Sequence, residues 1–311
     1  MPTPVKAIQP LKGVRLVSLA LNLPGPAALM RCRQMGAACL KVEPPAPTGA
    51  SPGISGDPMS AYNPAAYAAL HDGIRTQTAD LKTDKGQAAL HRALAKADVL
   101  ITSFRPSALV KLGLTWKALH QRHPQLSQVA IVGSPGDRAE EPGHDLTYLA
   151  ENDLVTGLEL PATLYADMGG SLMASEAVLQ AVMSQRAKQR GVYLEVALSS
   201  AAAYLALPRA WGLTAPGAPV GGAHAGYRVY PCKDGRVAVA ALEPHFAARL
   251  CEAVGLAALG MKAMSSRLAH EAIAAFLLTQ TRKQLDQLAT AKDIPLHTLK
   301  PSKAINPAIA S

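Results

Sequence analysis

The 311-residue chain carries 31 Lys and Arg against 22 Asp and Glu, a formal charge of +9, which favours an anionic partner. The cations are scattered and only 4% of residues are aromatic. That pattern argues against nucleic acid, which needs clustered charge or stacking platforms, and leaves a phosphorylated small molecule as the expected partner.

With 49% hydrophobic residues, a chain of this length buries an ample core without staples. The four cysteines, Cys32, Cys39, Cys232 and Cys251, form no C-x-x-C pair and none has a His at zinc-ligand spacing, so neither disulfides nor a metal site is expected. No apolar run approaches the roughly 20 residues of a membrane span, and the first residues lack a signal-peptide apolar stretch. The expected setting is cytoplasmic, with no membrane partner.

Residues 14–21 read as a mostly buried strand, Pro24-Gly25-Pro26 turns the chain, and residues 27–35 supply a short helix stopped by Gly36. Residues 38–43 form a second strand, completing a βαβ unit with its right-handed crossover. The alternation continues with a weaker strand at 76–81, a helix at 86–95, a strand at 98–102, a helix at 116–122 and a strand at 127–133. This describes a large, doubly wound, mostly parallel α/β domain. Residues 44–64, rich in Pro, Gly, Ser and Ala, read as a long surface loop. Neither G-x-G-x-x-G after the first strand nor a P-loop motif occurs, which argues against nicotinamide and nucleotide triphosphate chemistry.

An apolar helical pattern beginning near Ala174 runs to Arg190-Gly191, and residues 192–198 return as a strand. The Pro/Gly-dense segment 208–225 reads as a linker between a domain over 1–207 and a smaller α+β domain over 226–294. The smaller domain opens with a hairpin across Lys233-Asp234-Gly235, with helices expected at 244–254, 268–281 and 282–292. The tail 295–311 is expected to return to the large domain.

Chemistry concentrates between Gly143 and Gly170. Asp167 precedes the long helix, where an Asp can serve simply as an N-cap. Gly169 and Gly170 are poor helix formers, and close approach of backbone to a ligand would account for them; free N–H groups there could hold an oxyanion. His144 can exchange protons near neutrality, and Asp145 could cap the following helix. Glu243, before Pro244, is either a helix-start carboxylate or a partner that orients His144. Arg105, just past a strand's carboxyl end, suits a phosphate.

These segments together resemble the family III CoA-transferase superfamily, and within it the α-methylacyl-CoA racemases. The resemblance runs in order through Pro10-Leu11-Lys12-Gly13-Val14-Arg15, Cys39-Leu40-Lys41-Val42-Glu43, Ala79-Asp80-Leu81-Lys82, Phe104-Arg105-Pro106 and Tyr227-Arg228-Val229-Tyr230. Gly143-His144-Asp145 with Leu146-Thr147-Tyr148 is similar to the racemase signature, whose His is one catalytic base. Tyr165-Ala166-Asp167-Met168-Gly169-Gly170 is shared with the transferases, in which the matching Asp carries acyl groups. Ala241-Leu242-Glu243-Pro244 resembles the motif whose Glu supports the His. The chain departs from the family where Leu70-His71-Asp72-Gly73-Ile74-Arg75 retains only Arg75 of a basic run.

The resemblance implies inversion at C2 of a 2-methylacyl-CoA, with His144 and Asp167 as two bases and Asp145 and Glu243 as supports. It implies Lys41, Arg75 and Arg105 as CoA-phosphate ligands, and Gly143, Tyr148, Gly169 and Gly170 around the substrate. Coenzyme A enters as part of the substrate, with no tightly bound cofactor. Two chains interlocked as a homodimer are implied as well. CoA transfer through Asp167, or a non-catalytic CoA-binding relative, are the alternatives.

Overall fold

A computed structural model describes residues 8–256 and 261–301 of the chain, which divides after Ala206 into two compact units. In the first unit, strands β1 (Arg15–Ser18), β2 (Ala38–Glu43), β3 (Arg75–Thr78), β4 (Val99–Thr102), β5 (Ser127–Val132) and β6 (Tyr193–Ala197) form one sheet. Their order is β3-β2-β1-β4-β5-β6, and every pairing is parallel. The strand order reverses between β1 and β4, the switch point where open α/β sheets hold their ligands.

Near-continuous apolar strands are what a sheet covered on both faces requires. Leu16, Ile101, Val129 and Ile131 point to one face, against Ala28, Leu29 and Cys32 of helix α1 (Pro24–Gln34) and Ala174 and Val178 further along the chain. Val17, Leu40, Val42 and Leu100 point to the other. There they meet Leu90 and Leu94 of a helix at Asp84–Leu94, Leu109 of one at Pro106–Lys111 and Leu119 of one at Trp116–Arg122. The doubly wound α/β architecture follows from that alternation along each strand.

The segment read as a loop over 44–64 ends in two short helices, α2 (Met59–Tyr62) and α3 (Pro64–Leu70). Prolines that read as loop punctuation are here helix starts: Pro64 occupies the first helical position, and the Asn63 side chain accepts the Ala66 N–H at 3.1 Å. Helix α4 (Asp145–Glu151), helix α5 (Tyr165–Lys188) and helix α6 (Leu198–Leu205) complete the part of the unit that bears on the site.

In the second unit, β7 (Tyr227–Cys232), β8 (Gly235–Ala240) and β9 (Leu296–Leu299) form an antiparallel sheet, with β7 and β8 joined through Lys233-Asp234. Val237, Val239, Leu250, Ile273, Leu277 and Leu285 build its core under helices Pro244–Ala253, Arg267–Thr279 and Arg282–Lys292. The expectation that the tail returns to the large domain is corrected over β9. Val239 pairs with Leu296 and Val237 with Thr298, so residues 296–299 complete the small sheet; residues 302–311 lie outside the described residues. The expected linker holds a short helix, Leu207–Ala210, and a 3-10 turn, Pro219–Gly221.

Candidate active site

A cavity of about 710 Å³ opens at the carboxyl ends of β1, β4 and β5. Its walls are the turn after β1 (Asn22, Leu23, Pro24), the turn after β4 (Ser103, Phe104, Arg105), Gly133 after β5, helix α2, and the first residues of α4 and α5. It is the switch-point crevice predicted by the strand order.

Both halves of the sequence stretch singled out above meet in this cavity. His144 is the residue before α4, in extended conformation, with its N–H donated to Thr147 Oγ1 at 3.0 Å. Thr147 Oγ1 donates back to the His144 carbonyl at 2.7 Å. That reciprocal pair fixes the backbone from which the imidazole projects. His144 and Asp167 both line the cavity, and His144 acts electrostatically on Asp167.

Asp167 is not the cap of the long helix. Helix α5 begins two residues earlier, at Tyr165, and Asp167 lies within its first turn. Asp145, buried at the start of α4, accepts the Asp167 N–H at 2.9 Å. Asp145 therefore ties α4 to α5 and makes no hydrogen bond to His144 among the described contacts. The Asp167 carboxyl is raised to about 6, first by burial and then by the Asp145 carboxylate, with His144 pulling the other way. The expected free amides after Asp167 are occupied as well, because the Met168 N–H donates to Leu164 O at 3.0 Å.

Tyr148 is buried, and its ring fits only because two neighbours have no side chain. A Cβ at Gly133 would sit 2.3 Å from its hydroxyl, and one at Gly143 would sit 2.6 Å from it. Gly143 thus makes room for Tyr148. The phenol lines the cavity, and its pKa is raised first by burial and then by Asp167, which keeps it a proton donor.

Gly169 and Gly170 have a different reason from the ligand approach expected. A Cβ at Gly170 would lie 2.3 Å from Leu198 Cδ2, and one at Gly169 would lie 3.2 Å from Leu205 Cδ1, so the pair lets α5 pack closely on α6. Arg105 does line the cavity, exposed and without an ion pair among the described residues. Arg75 opens the edge strand β3, is exposed, and is not part of the cavity wall. Glu243 belongs to the second unit, where it is the exposed residue before the helix Pro244–Ala253.

Lys41 does not present its charge to a phosphate. It is fully buried in β2, paired with Asp57 and with Glu43 Oε1 at 3.1 Å, and 2.9 Å from His71 Nε2. His71 Nδ1 lies 2.6 Å from the Tyr67 carbonyl, which only accepts, so Nδ1 carries the ring's proton and Nε2 accepts a hydrogen bond from the Lys41 ammonium. Burial and Lys41 both lower the His71 pKa, consistent with that neutral form. Glu43, Asp57 and His71 bring ligand atoms within 4.8 Å of one another, a grouping that could take a metal, but the Lys41 ammonium contacts all three. Sequence reasoning missed Asp57 and Glu43. A parallel strand covered on both faces buries its residues on either side, as β2 does from Leu40 to Glu43, so a Lys within it demands a counter-charge.

A doubly wound sheet whose switch-point cavity carries an imidazole and a perturbed carboxylate is the framework of a small-molecule site. The chain matches the model of CoA-transferase family III over residues 11–308, and it belongs to that family. It is 30% identical over 270 residues to the alpha-methylacyl-CoA racemase of Mus musculus, covering 79% of this chain and 65% of that one. To the succinate–glutarate CoA-transferase of Agrobacterium fabrum it is 28% identical over 278 residues, covering 80% and 68%. The chain thus spans just under two thirds of the length of the mouse racemase. Among solved structures, Rv3272 from Mycobacterium tuberculosis superimposes with a TM-score of 0.76 at 22% identity, covering 98% of this chain and 86% of that one. A CAIB/BAIF family protein from Brucella suis gives 0.73 at 23%, covering 98% and 87%. Both have the same fold.

Two predictions follow from the buried charges. Lys41→Met leaves two buried carboxylates without their cation, and should lower unfolding stability in urea by about 3–5 kcal/mol; an unchanged midpoint would contradict the pairing. For Asp167 the carboxyl is raised from 3.8 to about 6 in the fold, so the protonated form is the stabilised one. Its stabilising contribution is complete below about pH 4 and is lost as pH rises through about 6. Asp167→Asn, which cannot ionise, should therefore melt progressively higher than the native chain across that window. A melting difference that is flat between pH 4 and 7.5, or that shrinks as pH rises, would show that the site does not strain the carboxylate.

Proposed function

We propose that the chain is an acyl-CoA isomerase that inverts C2 of a 2-methylacyl-CoA by proton removal on one face and delivery on the other. The observation that carries this reading is His144 in the same cavity as Asp167, with the Asp167 carboxyl near 6 and so able to give and take a proton close to neutrality. A thioester α-proton is very weakly acidic, and the enolate oxygen needs a donor where charge develops. The Tyr148 phenol, kept protonated and lining the cavity, is the proposed donor in place of the α5 amides. One base takes the C2 proton, the electron pair moves onto the carbonyl oxygen, and the conjugate acid of the other base returns a proton to the opposite face. His144 and Asp167 exchange roles with substrate hand. Arg105, on the cavity rim, is the proposed phosphate ligand. Glu243 is the proposed support for His144, and a homodimer the proposed assembly.

CoA transfer is the second reading, favoured by the similarity to a succinate–glutarate CoA-transferase and by a partly exposed carboxylate in the site. There Asp167 attacks the thioester carbonyl and expels the CoA thiolate, leaving a mixed anhydride. Incubation of one hand of a 2-methylacyl-CoA in deuterated water separates the two. The isomerase gains deuterium at C2 with loss of handedness, and His144→Ala lowers that exchange by about 10²–10⁴-fold. Transfer of the acyl group's CoA to a free acid without C2 deuterium, or full exchange in the His144→Ala variant, would overturn the proposal.

A further inference from the structure

The turn after β1 and α2 both contribute to the wall of the cavity, and one buried carboxylate is bonded to both. Asp57 is completely buried and is not part of the cavity wall. Its Oδ1 and Oδ2 accept the Asn22 N–H at 3.1 and 3.2 Å, and its Oδ1 also accepts the Met59 N–H at 3.0 Å. Asn22 and Met59 are both cavity residues. Asn22 has φ +63°, a left-handed conformation that a non-glycine residue keeps only when its surroundings enforce it. The enforcement is visible: the carboxylate that receives the Asn22 amide is itself held by Lys41, which Glu43 and His71 also contact. Tyr67 extends the cluster by donating its hydroxyl to Glu43 Oε1 at 2.9 Å.

A buried ionic cluster is an inefficient source of stability, because desolvation consumes most of its Coulombic gain, and an apolar replacement often does as well. What it supplies instead is directional, multi-point attachment. Apolar packing offers nothing that would hold one amide of a left-handed turn at a set distance from another helix.

We propose that Asp57, fixed by Lys41, is a positioning residue for the substrate cavity, holding the Asn22 turn and α2 together in the wall against which an acyl-CoA is bound. This rests on the acyl-CoA reading given above for the same cavity. Asp57 acts through Asn22 and Met59 and touches no substrate. Its loss therefore reduces the fraction of molecules with a competent cavity without altering the proton-transferring groups.

Asp57→Asn keeps the shape and one acceptor while removing the charge. If the turn then holds its competent form about one tenth of the time, KM for 2-methyldecanoyl-CoA in the deuterium-exchange assay rises about tenfold, while kcat stays within about threefold. The Asn22 amide, protected in nearly all native molecules and in about one tenth of the variant's, should exchange with deuterated solvent at least about tenfold faster, a readout independent of the reaction. Adding Asn22→Gly in the Asp57→Asn background should return KM to within about threefold of the native value, since glycine adopts φ +63° without strain. Should Asp57→Asn not fold, Asn22→Val with Asp57 intact must raise KM in the same way, because a β-branched residue resists that conformation. An unchanged KM with unchanged amide exchange, or a kcat loss that Asn22→Gly does not relieve, overturns the proposal. If the native chain shows no C2 exchange, the isomerase reading fails by itself. The Asn22 amide comparison and the dissociation constant of 2-methyldecanoyl-CoA then decide the positioning role alone.

Discussion

One hydrogen bond, from the Asp167 N–H to the Asp145 carboxylate, joins the start of α5 to the start of α4. Its cost is electrostatic. Burial already disfavours ionisation of Asp167, and this bond adds to it by bringing the buried Asp145 carboxylate alongside in the cavity wall. The arrangement places a carboxyl whose pKa lies near 6 in the same cavity as an imidazole. A fold optimised only for stability would have avoided that pairing, and strain concentrated at one place is the usual mark of a site.

The surrounding architecture makes the pairing tolerable by permitting close approach. Gly133 and Gly143 leave the volume that Tyr148 fills, and Gly170 lets α5 lie against Leu198 of α6. The sheet supplies the rest. Its order reverses between β1 and β4, and the turns that follow those strands diverge to leave the crevice that the polar residues line. On the far side of the β1 turn the Lys41 cluster performs the complementary task, fixing one wall from beneath with charges that never reach the solvent.

Much of this was legible from residues alone. The βαβ alternation and the Asp-Gly hairpin depend on local period and turn chemistry, so they could be read before any contact was known. The cavity position of His144, Asp167 and Arg105 was legible for a related reason: each stands beside a helix start or a strand end, where such sheets hold ligands. The misreadings share a different origin. Gly169 and Gly170 were ascribed to a ligand because the packing of α6 is a tertiary fact with no local signature. Lys41 reads as a phosphate ligand because two of the groups that hold it, the Asp57 carboxylate and the neutral His71 ring, stand 16 and 30 residues away. The short helices after Pro58 and Pro64 were hidden by prolines that punctuate loops and open helices with equal ease, and β9 by a pairing with β8 that spans more than fifty residues.

The central claim is that His144 and Asp167 act on opposite faces of one carbon. The most direct measurement is a crystal structure of the chain with a 2-methylacyl-CoA bound. The account predicts C2 between the two side chains, with the imidazole and the carboxylate each within about 3–3.5 Å of it, and the thioester oxygen directed at the Tyr148 hydroxyl. A thioester carbonyl carbon seated against Asp167, with C2 turned away from His144, would contradict it.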